Sequence, residues 1–83
     1  MAELIRLGDA TDHGGKVISA SLTMDYDGRP LARKGDEVSC PKHPEVRPNL
    51  IIDGDESTTD DGVPLARHGY RAMCGCRLIS SLI

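Results

Sequence analysis

The sequence predicts a small all-β domain spanning residues 1–83 and closed around a pseudo-threefold axis. Three observations carry that expectation. One short template occurs three times along the chain. No window holds a sustained i, i+3, i+4, i+7 apolar pattern free of Gly and Pro, which removes the signature of an amphipathic helix. Turn dipeptides recur at short intervals: Gly8-Asp9, Gly14-Gly15, Asp27-Gly28, Gly35-Asp36, Asp53-Gly54 and Asp61-Gly62.

The three copies of the template read Glu3-Leu4-Ile5-Arg6-Leu7-Gly8-Asp9, Pro30-Leu31-Ala32-Arg33-Lys34-Gly35-Asp36 and Pro64-Leu65-Ala66-Arg67-His68-Gly69-Tyr70. In each, the fifth residue after the glycine is a potential metal ligand: His13, Cys40 and Cys74. The first and third units also match downstream, where Gly14 to Ser19 aligns with Gly75 to Ser80. The second and third share their approach, Asp27-Gly28-Arg29-Pro30 against Asp61-Gly62-Val63-Pro64. Units one and two are offset by 27 residues and units two and three by 34, and the excess falls in an inserted loop at residues 44–49. Solenoid repeats carry helical or leucine-rich signatures that this chain lacks, so closure around an axis is expected.

Short aliphatic runs at residues 16–21, 49–53 and 77–83 read as strands. Asp27-Gly28 and Asp61-Gly62 read as two-residue hairpin turns, because a type I′ turn needs positive φ at both positions and Asp-Gly tolerates it. Each would reverse the chain into a Pro-Leu-Ala-Arg strand. The acidic stretch at residues 55–61 reads as a solvated loop or an edge strand.

At 83 residues, with no Phe or Trp and two Tyr, the core must be built from Leu, Ile, Val and Ala, which bury less area than aromatic side chains. A chain of this size and composition needs a staple. Three cysteines cannot all pair within one chain, and Cys74-Gly75-Cys76 would strain a mutual disulfide, so reduced thiols and metal ligation are expected. His13, Cys40 and Cys74 converge if the three units meet at an apex, and His43, in Cys40-Pro41-Lys42-His43, supplies the fourth ligand. Two imidazoles and two thiolates suit Zn2+ in a closed tetrahedral shell, which is a structural rather than a hydrolytic site. Such a site contributes on the order of 10 kcal/mol of apparent binding free energy shared with folding. His68 aligns with Leu7 and Lys34, and Cys76 with Gly15; both are competent ligands at positions without that duty in the other units, and they read as an exposed imidazole and a small packed thiol. Arg6, Arg33 and Arg67 recur at one position and are expected to pair with carboxylates or turn carbonyls. Asp9 and Asp36 are placed to cap a turn or to orient a ligand histidine.

The net charge of −3 and the pI near 5.5, with Lys and Arg scattered, exclude a nucleic-acid footprint. No apolar run is long enough to cross a bilayer, and the start lacks the basic-then-apolar pattern of a signal peptide, so synthesis in the cytoplasm is expected. There is no Gly-x-Ser-x-Gly elbow, no phosphate loop and no His-Glu-x-x-His helix. A Cys40–His43 nucleophile pair is chemically possible, but metal ligation explains the clustering better, and no catalytic residue is assigned. The competing readings are a free-standing zinc-binding interaction module of another pathway, against which stand the missing paired Cys-x-x-Cys and basic face, and a small metallo-hydrolase with an open coordination position.

Taken together, residues 8–15, residues 28–36, Cys40-Pro41-Lys42-His43 and residues 62–67 resemble the PAAR family, whose proline-alanine-alanine-arginine motif reads Pro-Leu-Ala-Arg twice here. The resemblance covers essentially the whole chain. It implies a conical, β-prism-like protein with zinc near its apex that caps and sharpens the trimeric β-helical (VgrG-type) spike of a type VI secretion system, one tip per trimer. It further implies a monomer when free, transient contact with a target membrane during puncture, effectors attached as separate chains, and passage from the bacterial cytoplasm out of the cell through the machine. Family sites favour three histidines and one cysteine, whereas His13, Cys40, His43 and Cys74 offer two of each. Ending at Ile83, directly after the last expected strand, the chain reads as a bare tip. Val17, Ile18, Leu78, Ile79, Leu82 and Ile83 are expected to share the core and the surface that meets the spike.

Overall fold

The computed structural model describes residues 3–82. Among them there is no helix, and regular strands are few: β1 (Asp25–Tyr26), β2 (Arg29–Pro30), β3 (Asp55–Asp60) and β4 (Val63–Leu65). They form two antiparallel hairpins, β1–β2 and β3–β4. Both turns are those expected from Asp-Gly. Tyr26 faces Arg29 across Asp27 (φ 52°) and Gly28 (φ 87°), and Asp60 faces Val63 across Asp61 (φ 54°) and Gly62 (φ 82°). Positive φ at both loop residues gives the turn the twist of the strands it joins. The acidic stretch is β3, whose pairing with β4 slips between Asp55 and Thr59.

The three repeat units close on one another through rings of backbone hydrogen bonds. Ile5 N–H donates to Ala66 C=O at 3.1 Å, Ala66 N–H to Ala32 C=O at 3.0 Å, and Ala32 N–H to Ile5 C=O at 2.8 Å. A second ring runs from Leu7 to Pro30, Lys34 to Pro64 and His68 to Glu3. A third links Ile18 to Glu37, Ile52 to Arg71 and Ile79 to Ala10. Cyclic pairing leaves no unit at an end, so the main-chain groups that a linear stack would expose at its termini are satisfied internally. Residues 16–21, 49–53 and 77–82 take part through isolated bridges such as Val17–Val38, Ile51–Ala72 and Thr11–Leu78, not as continuous strands. Each segment meets one neighbour for a residue or two and then turns to the next, which is too short a ladder to count as a strand.

Packing follows the same symmetry. Leu4, Leu31 and Leu65 form one buried cluster against which Leu82 packs. Their sequence neighbours Ile5, Ala32 and Ala66 lie in a second cluster with Val17, Val38, Ile51, Ala72, Cys76 and Leu78. Consecutive side chains of an extended segment point to opposite sides, so the two clusters lie on opposite sides of the Ile5–Ala32–Ala66 ring. Of the aliphatics expected in the core or at the docking surface, Val17 and Leu78 are buried, Ile18 and Ile79 are exposed and Leu82 is half-buried; Ile83 lies outside the described residues.

The repeated arginines pair as their type suggests. Arg67 Nε donates to Asp55 at 2.6 Å, Arg33 Nε to Asp36 at 3.4 Å, and Arg6 Nη1 to the Tyr26 carbonyl at 3.2 Å. Asp9 and Asp36 cap the turns: Asp9 Oδ2 accepts from Arg6 N–H at 2.8 Å and Asp36 Oδ2 from Arg33 N–H at 2.7 Å.

Candidate metal centre

The turns that follow the three template glycines carry His13, Cys40 and Cys74 to one place. Equivalent main-chain bonds hold them there: Asp12 N–H to Arg77 C=O, Ser39 N–H to Lys16 C=O and Met73 N–H to Leu50 C=O, each from the residue just before the donor. The ligand atoms of His13, Cys40, Cys74 and Cys76 all lie within 4.8 Å of one another. Cys40 Sγ stands 3.6 Å from His13 Nδ1. Metal–sulfur bonds of about 2.3 Å and metal–nitrogen bonds of about 2.0 Å in a tetrahedron put donors roughly 3.5–3.8 Å apart, so a small contraction completes a shell. Imidazole and thiolate are the right donor types for a borderline-soft dication, and the residues present fit one.

Burial is uneven across the group. Cys76 is fully buried and Cys40 is 8% exposed, whereas His13 and Cys74 are half-buried. On its other side, His13 Nε2 faces the Asp12 carboxylate at 3.8 Å, the kind of neighbour that steadies a ligating imidazole. Asn49 holds Cys74 twice, donating from Nδ2 to Sγ at 3.1 Å and accepting the Cys74 N–H on Oδ1 at 3.2 Å. Burial opposes ionisation of Cys74, but the hydrogen bonds from Asn49 and from the Cys76 amide and thiol outweigh it and hold the thiol well below its usual range. Burial, reinforced by the adjoining Cys74 sulfur, pushes Cys76 the other way.

His43 stands outside this group of donor atoms. Its ring centroid is 5.5 Å from that of His13, and its Nδ1 is 3.6 Å from Glu45 Oε2. The turn closed by His43 N–H on Cys40 C=O starts the inserted loop and carries the imidazole beside the cluster, where it lines a cleft of about 570 Å³ with Lys16, Val38, Val46 and Arg47. His68 is not among the clustered donors: it is exposed, and its Nδ1 accepts the Ser80 N–H at 3.1 Å. The three cysteines are free thiols.

Cys76 is the member of the cluster that alignment with Gly15 concealed. The backbone identifies its equivalents, because Thr11 N–H bonds Gly15 C=O, Val38 N–H bonds Asn49 C=O and Ala72 N–H bonds Cys76 C=O. One position therefore serves three ends: glycine where a Cβ would strike the Ser39 carbonyl, asparagine where Cys74 is gripped, and cysteine where a third sulfur joins the cluster. The signal available in the sequence was the second thiol of Cys74-Gly75-Cys76.

A family model for the PAAR motif matches residues 7–80. The chain belongs to the PAAR family. PAAR proteins are tip proteins of the type VI secretion spike, which places this chain in a spike-associated family. Comparison with curated proteins gave no match. In this PAAR chain the motif arginines Arg33 and Arg67 hold turns and hairpins together through Asp36 and Asp55 and stand apart from the donor cluster. Among the described residues no helix is long and apolar enough to cross a membrane.

Proposed function

We propose that this PAAR protein caps and sharpens a trimeric β-helical, VgrG-type spike as a metal-stabilised, non-catalytic tip, one per trimer, and that the metal is zinc. The observation that carries the reading is the closed ring of Ile5, Ala32 and Ala66, because one chain that repeats its backbone bonds three times around an axis offers a threefold partner three near-equivalent contacts. The side bearing Leu4, Leu31, Leu65 and Leu82 is the docking end, since it lies across that ring from the donor cluster. Zinc, held by His13, Cys40 and Cys74 with Cys76 as the fourth donor, ties together turns from all three repeat units at the other end. His43, the fourth ligand suggested by Cys-x-x-His spacing, flanks that shell.

A tip so placed would be carried from the bacterial cytoplasm with the spike, meet the target membrane briefly, and leave its flanks free for effectors. The test is co-purification with the cognate spike protein, with native mass spectrometry giving the stoichiometry. One chain per spike trimer is expected. Binding to monomeric spike subunits, or three chains per trimer, would exclude threefold docking, and no binding would favour a free-standing zinc module.

A further inference from the structure

We propose that Cys74 and Cys40 form an oxidant-sensitive pair through which a hydroperoxide releases the metal, so that the clasp is closed while its sulfurs are reduced and opens when they are oxidised. The inference rests on the metal-binding reading above and concerns the chemistry of the same donors.

The geometry distinguishes the three thiols. Cys76 is fully buried and Cys40 nearly so, which leaves Cys74, half-buried, as the sulfur that solvent-borne oxidant reaches first. Cys40 comes from a different repeat unit and its Sγ lies within 4.8 Å of that of Cys74, so it can answer without large motion of either turn. Cys76 is a poorer partner for Cys74, because only Gly75 separates them and a disulfide across so short a loop is strained. Three sulfurs in one shell make the site thiophilic and, for the same reason, oxidisable.

The reaction balances in two steps. With hydrogen peroxide, the Cys74 sulfur attacks one peroxide oxygen, the O–O bond breaks, and Cys74 becomes a sulfenic acid as hydroxide leaves. The Cys40 sulfur then attacks the Cys74 sulfur, forming S–S and expelling the second hydroxide. Two thiolates lose two electrons, the peroxide gains them, and two protons from solvent yield two waters. A disulfide is a poor ligand for a dication, and His13 with Cys76 alone cannot hold it in a tetrahedral shell.

The experiment uses the full chain purified under reducing conditions and loaded with zinc, titrated with hydrogen peroxide while a chromogenic indicator follows free zinc and peptide mass spectrometry maps the thiols. Expected are one zinc released per chain, a mass loss of about 2 Da, a Cys40–Cys74 link, and recovery of binding after dithiothreitol. Cys76→Ser still forms that link and Cys74→Ser does not, with circular dichroism confirming that both variants fold. Retention of zinc, release with Cys74 driven to a sulfinic acid, or a Cys74–Cys76 link would overturn the proposal while leaving the metal site standing. A reduced chain that takes up no zinc would remove the underlying reading and the proposal with it.

Discussion

Asn49 clasps Cys74 with both ends of its carboxamide, Nδ2 on the sulfur at 3.1 Å and Oδ1 on the amide at 3.2 Å, although 25 residues separate the two in sequence. Asn49 is itself buried, so the amide has no competing water. Removing it unfixes the Cys74 turn and takes away a hydrogen bond that favours the thiolate. Asn49→Ala is expected to weaken zinc binding by about 10–100-fold, the usual effect of losing a group that orients a ligand. Competition against a chromophoric chelator measures this, and an unchanged affinity would show that the carboxamide is only packing.

The donor set makes an optical prediction. Cobalt(II) in place of zinc shows sulfur-to-metal charge transfer whose intensity follows the number of bound thiolates. With Cys40, Cys74 and Cys76 bound, Cys76→Ser should lower that absorption by about one third, and His43→Ala should leave it unchanged. An absorption unchanged by Cys76→Ser would put Cys76 outside the shell.

Ile5, Ala32 and Ala66 share one ring and one core cluster, so the axis is filled by one large and two small side chains. Ile5→Ala should cost about 3 kcal/mol through the cavity it leaves. If the three positions are equivalent, adding Ala32→Ile refills the same space from the neighbouring unit and brings the net cost below about 1.5 kcal/mol. Urea unfolding of the single and double variants decides this; additive losses would mean that the three sites are not interchangeable.

Gly15 is required for space. A Cβ there would sit 1.8 Å from the Ser39 carbonyl oxygen, whereas Gly35, with φ 92°, has nothing within 4 Å of its ideal Cβ. Gly15→Ala is expected to cost at least about 3 kcal/mol, since backbone must move. Gly35→Ala should cost only the left-handed backbone term, roughly 1 kcal/mol. Equal losses in urea unfolding would refute the close approach of the first and second units.

Ser57 and Arg67, each donating at 2.6 Å, hold the Asp55 carboxyl down at about 2, below its ordinary 3.8. A carboxyl depressed in the folded state adds stability that is complete above 3.8 and fades as pH falls through about 2. Asp55→Asn should therefore lower the urea midpoint near neutral pH and converge on the wild type in strong acid. A gap that stays constant across that range would detach Asp55 from the acid response.

The features legible in the sequence are those written locally or by repetition. Asp27-Gly28 and Asp61-Gly62 announce their turns because two residues settle the φ values, and the template places His13, Cys40 and Cys74 at matched distances from a turn glycine. The rings that close Ile5, Ala32 and Ala66 follow from the repeat but not from any propensity, since each bridge is too short to leave a strand signature.

From the sequence alone came the three units, their hairpin turns, the absence of helix among the described residues and three members of the four-residue His/Cys cluster, because period and turn chemistry are properties of neighbouring residues. Tertiary structure alone brought Cys76 into that cluster. Whether position 76 faces the axis is hidden when its equivalents are Gly15, which has no side chain, and Asn49, which an insertion displaces in register. It became visible only when the rings brought all three positions to one level, set Cys76 among the other sulfurs and left His43 on the loop outside.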